Sequence, residues 1–144
     1  MKENRYYHGC GLIRNNGDVF EYNLVVLGGV SNAQSQTVLK STEIFDANTL
    51  TWITGPDFPT AIHGMSMAQY SSDTILCIGG SSVFGGNASN KVYSLSKTNM
   101  AQWVFLGGLS GSRFAQISLL VPKSFLHCRG DPNEDEIPQT LILE

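Results

Sequence analysis

An apolar run closed by two glycines occurs twice in this chain, and that repetition constrains the fold more than any other feature. Leu24-Val25-Val26-Leu27-Gly28-Gly29 returns as Ile75-Leu76-Cys77-Ile78-Gly79-Gly80, with Gly28 and Gly79 separated by 51 residues. Trp52 and Trp103 are also 51 apart, and in both copies 23 residues separate the second glycine from the tryptophan. Two features of unrelated chemistry thus keep one register, the mark of a fold assembled from repeated supersecondary units. Between them Glu43-Ile44-Phe45 matches Lys91-Val92-Tyr93, the second copy being three residues shorter before this point and three longer after it. Length changes of this kind belong in loops.

Each copy reads as four short strands: a stretch after His8 or His63, the Gly-Gly strand, the Phe45 or Tyr93 strand, and the tryptophan strand. Short runs rich in β-branched and aromatic residues are bounded by turn formers such as Asn15-Asn16-Gly17-Asp18 and Gly55-Pro56-Asp57. No segment sustains helical periodicity, so the chain is expected to be all-β. In that register Leu24, Val26, Ile75 and Cys77 are expected to be buried.

Composition narrows the function classes. With 42% hydrophobic residues in 144, a packed core is affordable in size. Nine basic and 12 acidic residues, spread thinly for a net charge of −3, give no footprint for a nucleic-acid backbone, so no nucleic-acid partner is expected. The longest apolar runs fall well below the roughly 20 residues that span a bilayer, so no membrane association is expected either. The start, Met1-Lys2-Glu3-Asn4-Arg5, lacks the apolar region of a secretory signal and points to the cytoplasm. Cys10, Cys77 and Cys128 are odd in number and widely spaced, which suggests reduced thiols rather than a disulfide framework or a zinc site.

Gly28-Gly29, the following Phe45 and Trp52, and then Gly55-Pro56 and Phe58-Pro59 resemble the kelch-repeat signature. The second copy keeps Gly79-Gly80, Tyr93 and Trp103 but carries Gly107-Gly108 and Ser110 where the first has its Gly-Pro and Pro. The resemblance covers most of residues 5–110. It implies kelch-type β-propeller blades, each a four-stranded antiparallel sheet, in which the glycines close the second strand and the tryptophan packs between blades. On this reading blade 1 spans residues 5–59, blade 2 spans 60–112, and 113–144 form a partial, degenerate third blade with the C-terminal tail. There Arg113-Phe114-Ala115-Gln116-Ile117-Ser118 resembles a new first strand, and residues 124–130 resemble a second. Trp52 is expected to face the second blade and Trp103 the degraded third. A propeller typically has about four to eight blades, so further blades from a longer chain or another copy are implied.

The repeat positions Gly28, Gly29, Trp52, Gly79, Gly80 and Trp103 are thus structural candidates. Arg5, His8, His63 and Arg113 lie ahead of first strands and are candidates for a binding face, although a repeated position usually serves the repeat itself. No catalytic order of Ser, His and Asp, no paired carboxylates and no phosphate-cradling loop accompany them, so neither catalysis nor a cofactor is expected. The resemblance also admits an enzyme alternative, a fragment of a galactose-oxidase-like secreted copper protein. The chain holds Tyr6, Tyr7, Tyr22, Tyr70 and Tyr93 with three histidines, but no spacing among them matches a copper site. Arg129-Gly130-Asp131 spells an adhesion tripeptide, yet it falls where a third Gly-Gly would stand; Asn87-Ala88-Ser89 is a glycosylation triplet. The remaining reading is a protein-binding module acting through its inter-strand loops, which differ in length between the copies. Partners in the family include actin and the substrates of cullin-type ubiquitin ligases, so the resemblance admits as a second alternative a fragment of such a ligase's substrate-recognition subunit, whose BTB region this sequence does not contain.

Overall fold

The computed structural model describes residues 1–14, 22–31 and 34–119. They form eight strands and no helix. β1 (Gly9–Arg14), β2 (Tyr22–Leu27), β3 (Thr42–Asp46) and β4 (Thr51–Thr54) make one antiparallel sheet; β5 (Ser66–Ser71), β6 (Thr74–Ile78), β7 (Ser89–Ser96) and β8 (Asn99–Arg113) make another. Strand order in each follows the sequence. Each repeat copy therefore folds as one sheet, because its strands are joined by short links that make sequential neighbours the cheapest partners.

The sheets lie face to face over one apolar cluster. Ile13, Val25, Leu27 and Ile44 of the first meet Ile75, Cys77, Leu95 and Trp103 of the second, with Phe58, Ile62 and Met65 of the connecting segment between them. Side chains alternate across a strand, so Leu24 and Val26 turn the other way. Their counterparts 51 residues on, Ile75 and Cys77, point into the shared core. The packing is therefore head-to-tail: the Leu24-type face of the second sheet covers the Val25-type face of the first. Gly9 allows the close approach, since a Cβ there would stand 2.7 Å from Met67 Sδ. A smaller cluster of Ala68, Leu76, Ile78 and Val92 occupies the opposite face of the second sheet. Of the four residues expected inside, Val26, Ile75 and Cys77 are buried and Leu24 is half-buried.

The tryptophans correct their expected partners. Trp103 packs back onto the first sheet: its Nε1 donates to Thr42 Oγ1 at 3.1 Å and its ring meets Phe58 edge-on at 5.4 Å. Trp52 lies on the face of the first sheet that turns away from the second and packs on its cross-strand neighbour Phe45 at 5.3 Å. Head-to-tail stacking is the reason, because each tryptophan sits on the face of the Leu24 type, which in the second sheet meets the first and in the first sheet meets no other described sheet. The expected first strand at residues 113–118 also differs: Arg113 ends β8, and the described residues 114–119 form no strand. The remainder of the expected third unit, with Cys128, Arg129-Gly130-Asp131 and residues 141–143, lies outside the described residues.

Candidate functional site

Strand ends sort the surface into two rims. One holds the hairpin turns at residues 46–51, 71–74 and 96–99, with Asp46, Asp73 and Lys97. The other gathers the Gly-Gly segments, the residues before β1 and β5, and the loops that follow β2 and β6.

This second rim is organised by the glycine pairs. Gly28 and Gly29 have φ of 60° and 94°, and Gly79 and Gly80 have 68° and 89°. A Cβ on Gly28 would stand 2.2 Å from Ile62 O, and one on Gly79 would stand 2.5 Å from Arg113 O. Only glycine combines that backbone conformation with that approach. The second glycine of each pair donates its N–H to the chain beyond the core of its sheet's fourth strand, Gly29 to Ile62 O ahead of β5 at 2.8 Å and Gly80 to Arg113 O at the end of β8 at 2.9 Å.

The segments that receive these bonds repeat as well. Arg5-Tyr6-Tyr7, Ile62-His63-Gly64 and Arg113-Phe114-Ala115 each end on a positive φ, 53° at Tyr7, 62° at Gly64 and 53° at Ala115. They are chained by Gly64 N–H to Tyr7 O at 2.9 Å and Ala115 N–H to Gly64 O at 2.8 Å. Isolated bridges pair Tyr6 with Val30 and His63 with Ser81. His63 thus occupies the position of Tyr6 rather than of His8, because Tyr6 and His63 are 57 residues apart while Val30 and Ser81 keep the 51-residue interval. Added length between β1 and β2 shifts the register of the first strand, a change invisible in the glycine and tryptophan spacing.

The four candidate binding-face residues have different surroundings. Arg5 is buried, pairing with Glu43 Oε1 at 2.6 Å and donating to Gly28 O at 2.9 Å and Ser41 O at 3.1 Å. Burial raises the Glu43 carboxyl, but bonds from the backbone N–H of Lys2, the Arg5 guanidinium and the N–H of Glu3 outweigh it and hold the group below its ordinary 4.5. This pair anchors the N-terminal segment across the first sheet. His63 is only 1% exposed; its Nε2 lies 3.2 Å from Val83 O, which can only accept, so that nitrogen carries the hydrogen and buried Nδ1 has no partner. His8 is half-buried and Arg113 is exposed.

No protein-family model and no curated protein matches this chain. The chemistry of the rim has to be read from its own side chains. Among the described residues no group of three or more His, Cys, Asp or Glu could hold a metal ion. The tyrosines of the copper alternative are dispersed: Tyr22 lies on β2, Tyr70 on β5 and Tyr93 on β7, while Tyr6 and Tyr7 stand on the glycine rim. Among the described residues no helix is long and apolar enough to cross a membrane. Burial pushes the Cys77 thiol up, which leaves it unreactive as well as inaccessible. Sequence reasoning missed the aromatic side chains of the rim, Tyr7, Phe84 and Phe114, which surround His63. Their signal was partly available in the sequence, since Tyr7 stands at the position of Gly64 and Phe114 at that of His63, but only the bridges and the positive φ values reveal the equivalence.

Proposed function

We propose that this chain is a non-catalytic protein-interaction module built of kelch-type β-propeller blades, the two sheets being consecutive blades of an incomplete ring. The observation that carries this reading is the recurrence of one junction: a glycine pair in one backbone conformation, bonded to the chain that leaves its sheet, repeated after 51 residues. Head-to-tail stacking extends naturally to further units, because each unit presents one face of each kind. Rigid strands carrying loops of unequal length favour recognition over catalysis. The resemblance offers actin and ubiquitin-ligase substrates as partner classes, and the free thiols at Cys10 and Cys77 suit a reducing compartment such as the cytoplasm.

The test places a photo-crosslinking residue at Val83 on the glycine rim or at Asp73 on the hairpin rim, identifies adducts, and reconstitutes binding with the purified partner; filamentous actin is one arm. Saturable binding that is lost when residues 81–88 are replaced by a Gly-Ser linker, with the circular dichroism spectrum unchanged, is the expected result. Binding that survives the replacement overturns the loop-mediated reading.

A further inference from the structure

β4 and β8 are the fourth strands of their sheets, but β4 runs 4 residues and β8 runs 15. Gly55-Pro56 follows β4 and stops it, because proline has no N–H to give a ladder; β8 meets no proline and continues to Arg113. Along one side β8 pairs with β7, and along the other it meets no strand among the described residues. An edge of this kind turns a row of N–H and C=O groups outward, and only another extended chain satisfies them as a ladder. Charge or proline ordinarily blunts such an edge, and residues 99–112 contain neither.

The middle of the edge is apolar and open to water. Val104, Phe105 and Leu106 are 39%, 56% and 58% exposed. Val104 and Phe105 pair with Ser94 and Tyr93, and the Phe105 ring leans on that of Tyr93 at 5.3 Å, so β7 holds both in place. Leu106 is the extra residue of a bulge, since Phe105 pairs with Tyr93 and Gly107 with Val92, and a bulge re-aims its side chain. The occupant that fits is an extended strand with an apolar centre, and every copy of the chain carries one in β8 itself. Antiparallel pairing of a strand with its own copy is what a two-fold axis produces, and it closes at two. With the axis near Phe105, the three exposed side chains of one copy cover those of the other. Such a contact buries on the order of 1,000 Å² in total, the lower limit for a specific interface, which suits a reversible dimer. Lys97 and Arg113 each stand eight residues from Phe105, so pairing brings Lys97 of one copy near Arg113 of the other. At the strand ends that repulsion is small and screened by salt, and it gives the association a sign: it strengthens as ionic strength rises.

We propose that β8 is a self-association edge: two copies of this chain pair antiparallel through their β8 strands about a two-fold axis near Phe105, with Val104, Phe105 and Leu106 at the centre. The pairing uses the edge of the second sheet and leaves its faces and the loops after β2 and β6 free, so it goes beyond the partner-binding reading above and does not depend on it.

Sedimentation equilibrium of the full chain, from micromolar to hundreds of micromolar, should show reversible association of the 15.7 kDa monomer to twice that mass and no further, tighter at high salt than at low. In hydrogen exchange the backbone amides of residues 103–107 should be protected about tenfold more in the concentrated sample than in the dilute one, with those of β2 and β6 unchanged. Leu106→Lys sets like charges against each other across the axis and should weaken association about tenfold or more. Its circular dichroism and the melting temperature of its dilute monomer should match the parent, because Leu106 pairs with no residue of β7. Val104→Lys is the second variant if Leu106→Lys fails to fold. Leu50→Lys, on a turn of the first sheet and 73% exposed, should associate as the parent does. A chain that stays monomeric at the highest concentration, a dimer that survives both lysines at the edge, oligomers larger than two, or concentration-dependent protection outside β8 alone overturns the proposal.

Discussion

Trp103 and Trp52 hold the same place in the repeat and do different work. Trp103 is 5% exposed, closes the shared core against Phe58 and donates to Thr42 of the other sheet. Trp52 is half-buried and leans on Phe45 of its own sheet, on a face where nothing among the described residues supplies the equivalent of Phe58 and Thr42. Equivalence in sequence therefore fixes the face a residue occupies, whereas its energetic weight depends on whether a neighbouring sheet meets that face. The same contrast separates Cys77 and Ile75, deep in the shared core, from Val26 and Leu24, which lie on the face outside it.

The largest effect is expected at the inner tryptophan. Trp103→Ala should cost about 3–5 kcal/mol, as for other large-to-small core changes, with an added penalty for the unpaired Thr42 hydroxyl. Denaturant unfolding monitored by circular dichroism measures it; a loss no greater than that of Trp52→Ala would break the comparison. Next come the glycine pairs. Gly28→Ala and Gly79→Ala both force a Cβ onto a carbonyl oxygen at positive φ, and each should cost about 2–4 kcal/mol. Similar midpoint shifts in the two variants would mark the junctions as equal, whereas tolerance of Gly79→Ala alone would mean that the second junction yields where the first does not.

Trp52→Ala should cost only about 1–2 kcal/mol, because the residue is already partly exposed and no second sheet meets it. A cost matching that of Trp103→Ala would mean that the outer face is covered in solution. The smallest effect concerns the Arg5–Glu43 pair. Since the folded carboxyl titrates below its ordinary 4.5, its stabilisation is present above that pH and is lost as pH falls through the lower folded value. Glu43→Gln should accordingly be less stable than the parent near neutrality and converge on it in acid. A constant difference between the two at every pH would show that ionisation of Glu43 contributes nothing.

Much of the fold was legible because the repeat encodes local chemistry. Four strands per copy follow from β-branched runs between turn formers, and the glycine pairs announce a backbone that other residues resist. The candidate site was less legible. Arg5 and His63 are polar, which suggested a binding face, yet both are buried, one by an ion pair and the other by stacked rings. Tyr7 was unremarkable in sequence, since its conformation is set by the bonds of its neighbour Tyr6 to Val30, 24 residues on, and by its own bond from Gly64, 57 residues away.

By itself the sequence determined the period, the all-β character, the two four-stranded units and the positions of Gly28, Gly29, Gly79 and Gly80, because these depend on strand propensity, alternation and backbone freedom within a unit. Only the tertiary structure decided that Trp103 packs on the preceding sheet while Trp52 packs on its own, that His63 stands in register with Tyr6, and that Tyr7, Phe84 and Phe114 gather around His63. Those outcomes depend on how two sheets are rotated and offset against each other, and loop length sets that offset without leaving a signature in the strands.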